Sequence, residues 1–421
     1  MLRAMNDAVS GLQMHQQWMD VIGNNIANVS TPGFKASSVN FSQLFAQTLY
    51  GGGAPNGNLG GTNPQQIGLG VGIGSITQNE SQGALQQTGS PTDLAIQGNG
   101  YFLLNMNGQG TGYTRVGAFS QDGAGNLVEK ATGFKVQGWM ASGGTLPSTE
   151  TQTNLSNITI PQNQSIPPKP TATAPFVGNL NAADSSQTTP PKVQVPFQVY
   201  DSLGNPQNLI CTFQAVSGTP GSWTWTISDP STGGLAGLGA GATGTITFGS
   251  SGAYSTPTTN PTFTVSPTDG STPNQTVTLN FTQMTQYAAA DAPLPGTQTG
   301  YGTGTLDGLS IDKSGVITGH FTNGLSQTLG QVALATFANA QGLVQQGQDI
   351  YIAGTNSGNA NVLVAGTAGA GSIQSSALEG SNVDLAKEFT DMIAAERGFQ
   401  ANSQVVTTTN QMLQTLVQLG Q

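Results

Sequence analysis

Helix-period sequence stands at both ends of this chain, with strand and turn signals over nearly everything between. In residues 1–29 the positions Met5, Ala8, Leu12, His15, Met19, Ile22, Ile26 and Val29 are spaced alternately three and four apart, and only His15 among them is not apolar. Pro32 and Gly33 then take the second and third places of a type II turn, which stops the helix. At the far end, Ser381 with Asp384 reads as a capping box. Behind it Leu385, Met392, Phe399, Val406 and Leu413 recur every seven residues as an apolar column. The neighbouring column, Phe389, Glu396, Ser403, Asn410 and Val417, is mixed, which suits packing against several neighbours better than a dry two-stranded seam. A two-helix pair buries only part of each stripe, so these termini are expected to gain their order from other copies of the chain.

Between the helices, residues 51–75 are rich in Gly and Asn and too poor in large side chains to hold a core. Strand signals begin with the alternation around Leu94, Ile96, Tyr101 and Leu103. Residues 118–139 read as hairpins punctuated by Asp122-Gly123 and Gly133. A Pro/Ser/Thr-rich connection spans 141–175, and a second β region runs from Val193 to Gln286 with a turn at Leu203-Gly204-Asn205. After a Gly/Pro-rich join over 288–304, β signals resume at 304–321 and 330–339. No repeat of fixed period is visible.

Composition narrows the function classes. Only 7% of residues are charged, against about 25% in an ordinary globular protein, so the polar surface is built from Thr, Ser, Gln and Asn. A net charge of −10 argues against nucleic acid as a partner. The single cysteine, Cys211, excludes an intrachain disulfide and a cysteine-based metal cluster. No apolar run is long enough to span a membrane, and Asp7, His15 and Asp20 interrupt any secretory-signal core after Arg3. The chain is therefore expected to stay in the cytoplasm or to leave by a route that needs no cleaved signal.

The sequence carries no H-E-x-x-H, G-x-S-x-G or P-loop. One G-x-G-x-x-G occurs at Gly239-Ala240-Gly241-Ala242-Thr243-Gly244, but it leads into a strand where a dinucleotide fingerprint needs a helix. His15 reads as a packing residue, His320 as an exposed strand-end residue and Cys211 as a buried small hydrophobe. Trp223 and Trp225 share one strand face as core or sheet cover, with sugar binding the lesser reading. No catalytic residue, cofactor or metal is expected.

Two motifs carry a resemblance. Asn24-Asn25-Ile26-Ala27-Asn28 followed by Thr31-Pro32-Gly33-Phe34-Lys35 resembles the N-terminal motif of the bacterial flagellar rod and hook proteins, and Gly380–Val406 resembles their C-terminal helix. Residues 199–205, 304–324 and 329–347 are most similar to segments of the hook branch, while 206–295 match only in strand-rich character. The resemblance implies a multidomain α+β chain whose long terminal helices form a coiled-coil-like domain with discontinuous all-β domains inserted between them. Residues 1–28 and 382–421 would be the polymerisation domain, and 29–75 with 374–381 a connecting segment. Residues 76–150 with 296–373 would be an inner β domain, and 176–290 an outer one. It further implies a structural subunit, self-assembling into a curved tube that couples rod to filament as a universal joint, with a distal rod protein as the alternative. Partners would be further copies, the rod, hook-cap and hook–filament junction proteins and the flagellar export apparatus, in an extracellular location and without membrane insertion.

With that reading, Met5, Leu12, Met19, Ile22, Ile26, Val29, Leu385, Met392, Phe399, Val406 and Leu413 are expected to face neighbouring copies. The amides of Asn24, Asn25 and Asn28 would add hydrogen bonds there that external salt does not weaken. Thr31, Pro32, Gly33 and Phe34 would redirect the chain from the helices to the outer domains. Trp18 would fill an intersubunit gap or face a channel.

Overall fold

A computed structural model describes residues 2–419 except 56, 58, 59, 109, 149–151 and 231–234. Residues 1, 150, 420 and 421, which bound stretches assigned above, lie outside the described residues. The chain has a helix at each terminus and a mostly β middle, and it divides into two compact units. Among the described residues, no helix is long and apolar enough to cross a membrane.

The first unit comprises residues 1–162, 309–319 and 327–421. Helix α1, Leu2–Ala27, ends where Asn28 leads into the Thr31-Pro32 turn. Helix α2, Leu385–Leu419, starts one residue after Asp384, whose Oδ1 accepts the Ala386 and Lys387 N–H groups at 2.9 and 3.3 Å. Asp384 is thus the cap itself, and Ser381 instead accepts the Val383 N–H. The sequence-predicted capping box does not form, because the helix begins later than Ser381. The helices are antiparallel: Gly11 of α1 lies against Asn402 of α2, and His15, one turn on, lies against Gly398.

Four strands that the sequence did not signal follow α1. Strands β1 (Ser37–Gln43), β2 (Ala46–Tyr50), β3 (Gln65–Gly68) and β4 (Val71–Gln78) pair β1 with β4 and β2 with β3, making one long antiparallel ribbon. Its strands alternate weakly and bury almost nothing, so period-2 patterning gives no sign of them. The β part of this unit centres on Ser326–Thr336, which from Gly330 onward pairs with Lys135–Met140, Tyr101–Asn105 and Asn361–Val364. Tyr101, Leu103, Tyr113, Trp139, Ala333, Ala335 and Tyr351 close its core. Two short ladders, Leu94–Gln97 with Ser372–Ser375 and Leu85–Gln87 with Ala377–Glu379, hold the chain entering α2 against the chain leaving the ribbon.

The second unit, residues 163–308 and 320–326, is a β-sandwich of two five-stranded sheets. Strict alternation makes its faces: in Pro206–Ala215 every second side chain is buried. Phe176 and Phe281 of one sheet meet Phe197 and Phe213 of the other at ring centroids 5.2–5.8 Å apart. Trp223 and Trp225 are 0% and 1% exposed in this core, so neither indole offers a face to a sugar. Cys211 is buried beside them, and burial pushes its thiol pKa up. The Gly239–Gly244 segment joins two strands, with no helix for a phosphate to cap.

Candidate functional site at the root of the terminal helices

The unusual sequence around Asn24–Lys35 folds into the joint between the two helices and the β part of the first unit. Asn28 donates to the carbonyl and side-chain oxygens of Asn24, and its own Oδ1 accepts from the Thr31 hydroxyl at 3.1 Å. The Phe34 N–H then closes the turn on the Thr31 carbonyl at 3.3 Å, with Gly33 at φ +75°. That backbone region suits glycine, and the Val116 side chain and backbone leave no room for a Cβ there.

Two asparagine side chains then act as backbone clamps. Asn25 donates to the Ser37 carbonyl at 2.8 Å and accepts the Ser37 N–H at 3.0 Å, as a paired strand would. Asn382 accepts the Ala36 N–H at 2.8 Å and donates to the carbonyls of Asn79 and Ser81. The first residues beyond the α1 turn, the end of the ribbon and the entry to α2 are thereby tied together by neutral hydrogen bonds.

At the centre is one carboxylate. Glu379, whose side chain is 0% exposed, accepts from Lys35 Nζ at 2.8 Å, Arg115 Nε at 2.6 Å and the Gly83 N–H at 2.9 Å. Arg115 also donates to the carbonyls of Ile96, Gly98 and Gly100, and Lys35 also reaches the Ser81 carbonyl. The Glu379 carbonyl accepts the Gly33 N–H at 2.8 Å, so the same residue holds the turn. Burial alone would raise the Glu379 pKa; the Arg115 charge and the hydrogen bonds from Lys35, Arg115 and Gly83 together carry it below the usual carboxylate range. Burial lowers the Lys35 pKa against the pull of Glu379. Both oxygens of the carboxylate face a donor, Oε1 taking Lys35 and Gly83 and Oε2 taking Arg115, which makes the cluster a fixing point. Among the described residues, no three His, Cys, Asp or Glu side chains gather where they could hold a metal ion.

The helix pair has an equally specific seam. Ala8, Gly11, Ile22 and Asn25 of α1 are buried, as are Glu388, Ala395 and Thr409 of α2. Small residues permit the close approach: a Cβ on Gly11 would meet Asn402 at 2.7 Å, and one on Gly398 would strike the His15 ring. That ring cannot step aside easily, because Trp18 and Phe41 flank it at 6.0 Å. Trp18 itself sits edge-on to Phe41 of the ribbon at 5.7 Å. Replacing Gly398 by leucine is accordingly expected to cost about 1–3 kcal/mol and to reduce the far-ultraviolet helical signal. An unchanged signal would mean that the helices can separate freely.

The residues expected at an assembly face divide into two sets. Ile22 and Asn25 are 2% and 1% exposed, used up within the chain. Met5, Leu12, Met19, Ile26, Asn28, Val29, Met392, Val406 and Leu413 are half-buried, while Asn24, Leu385 and Phe399 are exposed. Large apolar side chains of α2 outside that expectation, Phe389, Ile393, Val405, Met412, Leu416 and Val417, also lie in solvent. Sequence reasoning placed Phe389 and Val417 in a mixed column suited to several neighbours, and it gave no role to Ile393, Val405, Met412 and Leu416, which lie off both heptad columns. It missed Arg115, Glu379 and Asn382 because nothing local marks them. The scarcity of charge was the available signal, since a chain this poor in ions that gathers Lys35, Arg115 and Glu379 in one buried cluster does so for a reason.

Four family models match this chain in order. They are described as flagella basal body rod protein (residues 5–35), flagellar hook protein FlgE/F/G D1 domain (95–169), flagellar basal body protein FlaE D2 domain (162–301) and flagellar basal body rod FlgEFG protein C-terminal (374–419). The flagellar hook protein FlgE of Treponema pallidum is 40% identical over the whole of both chains, and that of Borreliella burgdorferi 36% identical, again over the whole of both. The flagellar basal-body rod protein FlgG of Bacillus subtilis is 29% identical over 100% of this chain and 99% of its own.

Proposed function

This chain belongs to the flagellar hook protein family, and from that premise we propose how it assembles. It is a structural subunit of the bacterial flagellar hook, outside the cell, serving motility. The rod alternative is weaker, since the rod relative is the more distant in sequence.

The terminal helices are the polymerisation surface, packing against each other through small residues and against neighbouring copies through large ones. One observation supports this division. Seam positions are filled by Ala8, Gly11, Ala395 and Gly398, whereas Phe389, Ile393, Met412, Leu416 and Val417 stand in water. A row of large apolar side chains left exposed along a helix marks a surface that another molecule covers. The half-buried and exposed members of the predicted face, from Met5 to Leu413, belong to the same surface. Ile22 and Asn25 serve it from within by fixing the angle at which α1 departs. The pair is coiled-coil-like in this reading. Residues 29–75 with 374–381 connect it to an inner β domain of 76–150 and 296–373, with 176–290 as the outer β domain. Rod, hook-cap and hook–filament junction proteins would meet the polymer at its ends, after passage through the flagellar export apparatus without a cleaved signal.

Ile393→Asp tests the reading. Ile393 is 58% exposed, so the monomer should keep its stability to within about 0.5 kcal/mol. Tube formation, followed by electron microscopy under polymerising conditions, should be abolished. Normal tubes from this variant would remove the outer face of α2 from the interface.

A further inference from the structure

The sandwich unit buries an acid that assembly through the helices does not use. Asp184 lies in the short 3₁₀ turn Ala182–Ser186 and is 3% exposed. Its Oδ1 accepts the Gln187 side-chain amide at 3.0 Å, whereas its buried Oδ2 has no hydrogen-bond donor among the described residues. The Asp291 carboxyl stands within hydrogen-bond reach of it. Asp291 is fixed from its own side, because its Oδ1 accepts the Asn181 N–H at 2.7 Å. Asn181 in turn caps the 3₁₀ turn by accepting the Ala183 N–H at 3.0 Å. Asn179 laces down the rest of the Asp291 loop, donating to the carbonyls of Tyr287 and Ala289 and accepting the Ala292 N–H at 2.9 Å. The backbone therefore holds the two acids against each other, and they cannot swing apart without undoing it.

No base meets this pair. Among the described residues, Asp291 is the one charged group that acts on Asp184. The turn at 216–221 packs on the same segment, through Gly218 N–H to the Ser185 carbonyl and the Ser217 hydroxyl to the Gln187 carbonyl. Stretches 173–191, 216–221 and 287–293 hold, besides the two acids, only the exposed phenol of Tyr287 as a titratable group. Two facing carboxylates without a cation repel, and a single proton between them turns that repulsion into a hydrogen bond.

We infer that Asp184 and Asp291 form a proton-operated clasp in the sandwich unit. With the proton present, the Asp184 O–H donates to the Asp291 carboxylate and closes the 287–293 loop onto the turn at 182–186. Its loss sets two negative charges against each other and loosens that loop. Burial first, and the Asp291 charge after it, push the Asp184 pKa up, which suits Asp184 as the proton's holder. A folded pKa above the unfolded aspartate value gives stabilisation that is complete below about 3.9 and is lost as pH rises through the folded value. The clasp thus closes in acid and loosens toward neutrality, opposite in sign to Glu379, whose pKa is lowered.

Hydrogen exchange of the full-length monomer, read by mass spectrometry and corrected for the intrinsic pH dependence of amide exchange, tests the clasp. Peptides covering 179–187 and 287–293 should exchange about threefold faster or more at about pH 7 than at about pH 4. Asp184→Asn replaces the proton with a permanent amide donor and keeps an acceptor for Gln187. Its corrected rates in these peptides should be slow and equal at both pH values. Equal rates in the natural chain would overturn the clasp, and so would a variant that still quickens toward neutrality. Carbon-13 spectra of the natural chain give a readout that needs no substitution: the Asp184 carboxyl should titrate above the ordinary aspartate value of about 3.9, and a midpoint at or below it would overturn the proposal. Calcium chloride that slows exchange of the same peptides at neutral pH would assign the pair to a metal cation and overturn the shared proton.

Discussion

Replacing Glu379 by alanine should destabilise the first unit by about 3–5 kcal/mol, because it leaves Lys35 and Arg115 buried with no anion between them. Removing one member of a buried ionic group costs far more than the group contributes over a well-packed apolar substitute, since the remaining charges cannot regain water. Glu379→Gln should cost nearly as much: it keeps an acceptor for the Gly83 N–H but still leaves two cations uncompensated. The measurement is thermal or urea unfolding of the full chain, with the sandwich unit expected to melt as before. A loss below about 1 kcal/mol would mean that the cluster is solvated and fixes nothing.

The same residue predicts a pH dependence. Its folded pKa lies below its unfolded value, so its stabilisation is complete above the ordinary glutamate pKa of about 4.3. It is lost as pH falls from there through the lower folded value. The stability gap between the natural chain and Glu379→Ala should therefore be constant near neutral pH and shrink as the solution is acidified. A gap that stays constant down to strongly acidic pH would show that the variant acts through packing and not through charge.

Deleting residues 1–30 and 382–421 should abolish tube formation completely while leaving a folded β monomer. The Asn25 and Asn382 clamps leave with the helices, but Lys35, Arg115 and Glu379 all lie within the retained stretch, as do both ladders that brace 372–379. The sandwich core of Phe176, Phe213, Trp223 and Phe281 has no member in the deleted segments. Sedimentation should give a monomer, far-ultraviolet spectra should keep the β signal, and electron microscopy should find no tubes. Tubes from the truncated chain would place assembly in the β units.

What sequence alone determined about this protein is local. The α1 stop at the Thr31-Pro32-Gly33 turn, the start of α2 near Asp384 and the alternating strands of the sandwich follow from short-range rules. Turn chemistry, capping and side-chain period each act over a few residues. The motif resemblance carried family and function for the same reason, as a short exact pattern at each end.

Only tertiary structure decided which side of each helix is covered. A heptad pattern says that a face is apolar, not which face meets the partner helix; close approach put the small residues Gly11, Ala395 and Gly398 in the seam and left Phe389, Ile393 and Met412 of α2 outward. The ribbon likewise came from backbone pairing between uncharged, weakly patterned strands that offer no periodic signal. Lys35 and Glu379 stand 344 positions apart, and no local rule can join them. Burial made that pairing necessary, because a cation removed from water in a chain with so few charges has to be met by one of its few anions, wherever in the sequence that anion lies.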